Sequence, residues 1–484
     1  MTLRPNAFVL AGLTIVLTGC MVGPKYVAPT APSPPAFKEA SPDAFKETAD
    51  WHIAHPDDQI PRGAWWTIFG DAELNTLEPQ VEAANQTLKA ADANLRAARA
   101  NIRVQNADRF PTVGVAPFAG GLRDSAHQPY FNSANANNGL SELLLPVQLN
   151  YEVDLWGRVR RNIAAATEES QATAADRQTA LLSLQAELAM DYFELRAADA
   201  QQKLLNDTVT QYADAYRVTN NRFVGGISPK SDVTQAQTQL QAAKVQAADI
   251  ASQRAQFEHA IAILIGQPPS AVTLPAAPLN IVPPPIPAGL PSQLLERRPD
   301  IASAERRAAE ANQQIGIARA AFFPSLSLNG SAGFESTSLL NLFNPSSIVY
   351  ALGPTLGQTF FDGGRRHGLS DQALAGYDRT VADYRQTVLV AYQQVEDNLV
   401  ALRVLSDEAE QQRQATLAAR ESERIFNNRY VGGVDTYLQV ITAQTTALTN
   451  ERNDIDILRR RMEASVLLVK ALGGGWDRTQ LPPR

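Results

Sequence analysis

The 484-residue chain contains one cysteine, Cys20, and five histidines, and each scarcity removes a class of function. A single thiol cannot build a disulfide framework within the chain. None of His52, His55, His127, His259 and His367 forms a metal-site pair on a helical tract, and no Cys/His cluster accompanies them. No Lys/Arg block or basic arm interrupts a net charge of −7, which leaves nucleic-acid binding without support. No P-loop and no G-x-S-x-G motif occurs, and Gly473 to Gly475 reads as a helix terminator before Trp476 rather than a phosphate cradle. An enzyme is therefore not expected. Beyond the N-terminus no stretch is apolar enough for a transmembrane helix, so a membrane crossing would have to be made with strands. What remains is a folded composition, 44% hydrophobic and 19% charged. Its length suits two or three domains or one very elongated unit.

The N-terminus has the pattern of a secretory leader. Arg4 is the only charge before the apolar run Ala7 to Leu17, which is too short to span a bilayer, and residues 1–19 read as a signal peptide. Leu17-Thr18-Gly19-Cys20 resembles the bacterial lipobox. That resemblance implies that Cys20 becomes the first mature residue and carries the lipid, a diacylglycerol and an N-acyl chain such as palmitate. The competing expectation is a buried thiol beside a processed leader. Met21 stands where an inner-membrane retention signal usually has aspartate, which favours the outer membrane.

Residues 20–70 form an extended arm, rich in Pro, Ala and charge as far as about residue 59. Helix-forming tracts follow at about 71–108, 158–221, 231–265, 296–320, 365–428 and 435–472. The two longest, close to sixty residues each, predict helices on the order of 90 Å, too long for a compact domain. One apolar seam runs Leu181, Leu184, Leu188, Tyr192, Leu195; another runs Val381, Tyr384, Val388, Ala391, Val395, Leu399, Leu402. That is coiled-coil-like spacing.

Strict alternation marks four segments between these tracts. Leu145, Val147, Leu149, Tyr151, Val153 and Leu155 alternate with Pro146, Gln148, Asn150, Glu152 and Asp154. Leu326, Leu328, Ala332 and Phe334 alternate with Ser325, Ser327, Asn329 and Ser331. Ile348 to Phe361 repeats the pattern, and Thr112 to about Gly121 repeats it more weakly around Pro117. These read as two membrane hairpins, 111–155 and 324–361, with polar loops at 122–140 and 336–347.

The chain reads as a duplication. Arg222-Phe-Val-Gly-Gly-Ile227 matches Arg429-Tyr-Val-Gly-Gly-Val434, and Val233, Ala236 and Gln237 match Val440, Ala443 and Gln444 at the same offset. Each half, 71–266 and 296–474, reads helix, hairpin, long helix, Gly-Gly turn, helix, with tip turns at 222–230 and 429–437. A Pro-rich linker, 267–295, joins them, and 475–484 is a tail. Four strands cannot close a barrel, and open strand edges are intolerable in lipid. The chain must therefore oligomerise: two copies give eight strands and three give twelve, and the sequence by itself leaves both open.

Taken together the motifs resemble the TolC-like outer-membrane factors, in their lipidated (NodT/OprM-like) efflux branch, over nearly the whole chain after the leader. They are Trp65-Trp66 with Phe69 and Asp71-Ala-Glu-Leu74, Asp154-Leu-Trp-Gly-Arg158, Leu295-Glu-Arg-Arg-Pro-Asp-Ile301 with Ala304-Glu305, Phe323-Pro324, and Phe361-Asp-Gly-Gly-Arg365. The resemblance implies an α+β membrane protein: a homotrimer with a twelve-strand β-barrel, a twelve-helix periplasmic α-barrel, and a mixed belt built from the terminal and linker segments. It implies a passive duct of a tripartite system, docked to a periplasmic adaptor and a proton-driven inner-membrane pump. The pump supplies the energy, and the duct is gated by a shift between closed and open tips. Gly225, Gly226, Gly432 and Gly433 would turn the tips and meet the adaptor. Asp435 takes the position of a carboxylate that rings the closed aperture in lipidated relatives, where three copies would favour cations. Gln439 and Thr442 stand where other relatives carry further aspartates, so a multi-ring filter is not expected. Arg429 and Tyr430 would bridge the tip shut, or else pack and solvate the turn. The alternatives are a type I protein-secretion duct of the same architecture and a surface coiled-coil lipoprotein.

Overall fold

The computed structural model describes residues 21–32, 34, 37–39, 63–123, 125, 140–277, 279, 282–284, 286 and 297–475. Helices run α1 Ala72–Ala84, α2 Gln86–Ala107, α3 Arg158–Val224, α4 Lys230–Leu264, α5 Pro299–Ala320, α6 Arg365–Val431 and α7 Tyr437–Ala471. Strands are β1 Thr112–Val115, β2 Phe118–Leu122, β3 Leu140–Val153, β4 Ser325–Ser336 and β5 Ile348–Gly357.

The duplication is metrically strict in the helices. Both α3 and α6 have 67 residues, and both α4 and α7 have 35. Every bound in the second half falls 207 residues after its counterpart: 158 and 365, 224 and 431, 230 and 437, 264 and 471. At 1.5 Å per residue each long helix measures about 100 Å. The start of each is fixed by an aspartate: Asp154 accepts from the Val159 and Arg160 amides at 3.1 and 3.0 Å, and Asp362 accepts from Gly364 and Arg366 at 3.1 and 3.2 Å. Carboxylates there satisfy orphan amides and face the positive end of the helix dipole.

The expected tract 71–108 is two helices, not one. Asn85 ends α1 and caps α2, its side chain accepting from the Leu88 amide at 3.1 Å while donating to the Leu264 carbonyl at 2.9 Å. A side chain able to satisfy both a new helix start and a neighbouring helix end makes the break favourable. The expected strand 112–121 is also two. Pro117 has no N–H to give, and Pro146, opposite Ala116, has none either, so the ladder lapses between β1 and β2. Pro146 pairs on its other side with Gly333, where a Cβ would lie 2.0 Å from the Leu145 carbonyl oxygen. The third predicted strand stops at Gly357, four residues early, and loop 336–347 contains two single 3-10 turns, Leu339–Asn341 and Pro345–Ser347. Most of the other loop, 122–140, lies outside the described residues.

The sheet is antiparallel in the order β1-β3-β4-β5, with β2 continuing β1 along β3. The register places Val113, Leu149, Gly330 and Leu352 in one row and Val115, Val147, Ala332 and Tyr350 in the next. That face is apolar and open, with Tyr350 at 83% and Leu352 at 73% exposure. The opposite face carries Gln148, Ser331 and Ala351, then Asn150, Asn329 and Gly353, then Glu152, Ser327 and Thr355. Asn329 donates to the Thr355 hydroxyl across it at 3.2 Å. An apolar outside and a polar inside are what a membrane-spanning barrel wall requires. No described helix is long and apolar enough to cross a membrane.

The largest core lies where α3, α6 and α7 pack together. Trp65, Trp66 and Phe69, in a 3-10 turn before α1, pack against α3, with Phe69 edge-on to Phe193 at 5.1 Å. The same core takes in Leu188, Leu195, Val388, Val395, Ile457 and Leu468, joining α3, α6 and α7.

Candidate gate at the two helical tips

Both long helices end in the same backbone turn. In the first tip the Ile227 amide donates to the Arg222 carbonyl at 2.8 Å; in the second Val434 donates to Arg429 at 2.9 Å. This return bond closes a helix end through a left-handed residue. The left-handed residue is the second glycine of each pair, Gly226 at φ +73° and Gly433 at φ +75°. Gly225 and Gly432 have φ −77° and −72°, which any residue adopts. Of the four glycines expected to turn the tips, two take positive φ.

The side chains of the tips are arranged differently. In the second tip the Arg429 guanidinium holds the Asp435 carboxylate with two bonds, Nε to Oδ2 at 2.5 Å and Nη2 to Oδ1 at 3.2 Å. That partner raises the arginine pKa further above its ordinary value. Arg429 thus closes on its own tip and does not reach the first. The first tip has Ser228 at the place of Asp435, and its Arg222 turns outward to the other tip. Arg222 Nη1 donates to the Tyr430 carbonyl at 3.2 Å, and its guanidinium lies 4.8 Å from the centre of the Tyr430 ring. A cation over an aromatic face is attracted by the ring quadrupole.

Beneath this contact all four long helices meet. Tyr430 of α6, Tyr437 and Val440 of α7, and Ala236 of α4 form a small buried cluster, with Tyr216 of α3 against it. The Tyr430 and Tyr437 rings stand 5.2 Å apart. Burial, then the neighbouring Tyr430, pushes the Tyr437 phenol up to about 12. The outer surface of each tip is apolar and open, with Val224, Ile227, Val431 and Val434 all exposed by more than half.

The expected site residues therefore fall as follows. Arg429, Tyr430, Asp435, Gly432 and Gly433 come together in one tip, while Gly225 and Gly226 turn the other. Cys20 lies outside the described residues. Sequence reasoning missed two participants, Arg222 as the cation between tips and Tyr437 beneath it. The first was detectable: at the offset of 207, Ser228 faces Asp435, so Arg222 lacks the acid that its counterpart has.

A model of the family described as outer membrane efflux protein matches residues 77–267 and 290–474. The chain is 31% identical over 470 residues to the antibiotic efflux pump outer membrane protein ArpC of Pseudomonas putida, covering 96% of this chain and 95% of that protein. It is 28% identical over 472 residues to the cation efflux system protein CusC of Escherichia coli, covering 96% and 98%. The crystal structure of the open state of the Neisseria gonorrhoeae MtrE outer membrane channel superposes with a TM-score of 0.81 at 28% identity, covering 95% of this chain and 99% of that one.

Proposed function

This chain belongs to the outer membrane efflux protein family, with the TolC-like channel fold, and from that premise we propose that it works as a homotrimeric duct gated at its periplasmic tips. The observation that carries the assembly of several copies is the unfinished sheet; the number three comes from the width a cargo needs. Among the described residues β1 with its continuation β2 and, on the other side, β5 are free edges, and the apolar face between them is exposed in a single copy. Lipid tolerates no open edge; two copies would make an eight-strand wall filled by its own side chains, and three make a wall wide enough for cargo. Helices of about 100 Å would then continue the duct across the periplasm. The exposed apolar tips suit a periplasmic adaptor, which would link the duct to a proton-driven inner-membrane pump. Cys20 would carry the acyl anchor in the outer membrane. Family membership leaves the surface coiled-coil reading without support.

The cargo is a small molecule or ion. ArpC is named for antibiotics and CusC for cations, so one architecture serves chemically unlike substrates. Selection then belongs to the pump. At the aperture the proposed acidic ring is a ring of ion pairs, because each Asp435 holds its own Arg429. That pairing weakens the field that three free carboxylates would give.

Single-channel conductance of the full-length lipoprotein in planar bilayers, wild type against Asp435→Ala, tests this reading. Discrete pores whose cation preference falls in the variant, as Arg429 is left unpaired, are the expected result. Pores indifferent to the substitution would remove Asp435 from the aperture. An inserted trimer that never conducts, even when the tips are loosened by Tyr430→Ala, would overturn the duct.

A further inference from the structure

We propose that Glu463 of α7 and Glu194 of α3, gathered around Arg459, form a proton-operated latch between the two helical hairpins, holding them together while Glu463 carries a proton and weakening as that proton leaves. The proposal rests on the duct reading above, in which the tips open and close.

The latch lies on the seam between hairpin α3–α4 and hairpin α6–α7. Each hairpin is closed by its own Gly-Gly turn, so tips that part must shift one hairpin against the other. Polar contacts that cross the seam include Arg222 with the Tyr430 carbonyl at the tips, Arg452 of α7 with Gln246 of α4 at 3.3 Å, and Arg459 of α7 with Glu194. The last joins charge to charge.

Arg459 carries three carboxylates. Its Nη1 donates to Glu194 Oε1 at 2.5 Å and to Glu463 Oε1 at 2.6 Å, while Nη2 and Nε donate to Asp456 Oδ1 at 2.7 and 3.0 Å. Acids of two helices thus meet on one nitrogen. Their bonded oxygens lie no more than about 5 Å apart, and one cation cannot neutralise three anions. More acid lines the same face of α3, where Glu187 and Asp191 precede Glu194 at helical spacing. Asp249 of α4 shares a groove with Arg452 and Asp456. Toward the C-terminus of α7, Lys470 lies near Glu187, Arg298 and Asp300. Helix α6 meets α7 on another face, with Arg460 donating to Glu408 at 3.2 Å. The surroundings of the pair are therefore acidic.

Burial, then the hydrogen bond with Glu194, pushes Glu463 up to about 7, against the pull of Arg459. Burial, then Glu187 and Glu194, pushes Asp191 up to about 6. With its proton Glu463 donates to Glu194, and Arg459 balances much of the charge that is left. Without it two carboxylates face each other across the seam. A groove of about 580 Å³, lined in part by Glu194, Asp456 and Arg459, opens beside the pair and lets water deliver the proton. The linker holds α3 from another side: Arg196, about 200° round the helix from Glu194, donates to the Pro275 carbonyl at 2.7 Å, and Asp199 accepts the Ala277 amide at 3.0 Å. The acidic face is left to the water of the duct.

Release returns Glu463 to water, where a glutamate has a pKa of about 4.3. The engaged state therefore binds the proton more tightly. It gains on the released state as pH falls through about 7, gains nothing further below about 4.3, and loses the advantage above about 7. The engaged-to-released ratio changes by up to about tenfold per pH unit between those limits. The duct is thus held shut in acid and yields to its adaptor at neutral and alkaline pH.

The test uses full-length protein and two readouts. Infrared spectra of protein carrying carbon-13 in its glutamate carboxyls read the proton, and the open-to-closed ratio in planar bilayers reads the gate. Wild type should show a protonated glutamate band, missing from Glu463→Gln, that titrates away with a midpoint near pH 7. Its open-to-closed ratio should be about tenfold higher at pH 8 than at pH 6. Glu463→Gln keeps a donor toward Glu194 at every pH, and Glu194→Gln supplies one toward Glu463. Both should remain as closed at pH 8 as wild type is at pH 6. Arg459→Gln removes the cation that restrains the proton affinity and should move the midpoint upward. Asp191→Asn alters the same acidic face away from the shared nitrogen and should keep the tenfold response. A wild type without the band, a response undiminished in both glutamine variants, or one lost equally in Asp191→Asn would overturn the latch. An inserted trimer without current at any pH would overturn the duct reading instead. The latch is then judged by the infrared midpoint and by hydrogen exchange of residues 428–437, corrected for its intrinsic pH dependence, which should rise about tenfold from pH 6 to pH 8 in wild type and stay level in the glutamine variants.

Discussion

The two tips share their turn and differ in where their arginine goes. Helix lengths, turn hydrogen bonds and the left-handed glycine are the same at an offset of 207 residues. In the second tip Asp435 keeps Arg429 at home; in the first, Ser228 supplies no anion and Arg222 crosses to Tyr430. The difference shows how a duplicated frame acquires a contact between its halves. Removing one acid frees a cation, and the nearest electron-rich partners, a carbonyl and an aromatic face in the other tip, take it up. The ion pair of the second tip is self-contained, and the cation of the first is bound to that tip.

That comparison can be broken from its largest element downward. Tyr430→Ala removes the ring shared by the buried cluster and by Arg222, and should loosen the second tip locally by about 3 kcal/mol. Hydrogen exchange of the amides of residues 428–437 should accelerate accordingly, with the barrel unaffected. Gly433→Ala places a Cβ in a left-handed conformation and should cost about 1–2 kcal/mol, whereas Gly432→Ala should cost nothing or stabilise slightly. A pair of variants that behave alike would mean that the turn is not the one described. Arg222→Met keeps most of the side-chain bulk and should cost about 1 kcal/mol at the tip, seen as faster exchange near Tyr430 without change in the first turn. Ser228→Asp is the smallest and most informative change. It offers Arg222 the partner that Arg429 has, and should make the tips alike, raising exchange near Tyr430 by less than Arg222→Met does. If exchange there is unchanged while Arg222→Met has its effect, the missing acid is not what sends Arg222 across.

A parallel contrast separates the sheet from the helices in how much of each was legible. The long helices were readable because Ala, Gln, Leu, Arg and Glu persist for about sixty residues and because the repeat marks both ends. The alternation in β3 and β4 was readable for the same reason of length, and the register puts Val147, Ala332 and Tyr350 in one row as their spacing required. The break at Asn85 was not readable, since an asparagine within a helical tract gains its value from Leu264, distant in sequence. The lapse at Ala116-Pro117 was half visible in Pro117, but Pro146 opposite it appears only once the strands are paired.

The candidate site divides in the same way. Gly226, Gly433, Arg429 and Tyr430 stand in a repeated motif, because turns are local, while Asp435 was named from the family resemblance. That Arg429 and Asp435 bind each other, that Arg222 is the cation between tips, and that Tyr437 lies beneath them depends on how four helices cross.

The sequence by itself determined the elements, their duplication, the apolar and polar faces of the strands and the need for more than one copy, because these follow from periodicities of 3.6 and 2 and from chain length. Only the tertiary structure decided which charges meet. Ion pairs and close glycine contacts depend on separations of a few ångströms between residues far apart along the chain, and no local pattern encodes those distances.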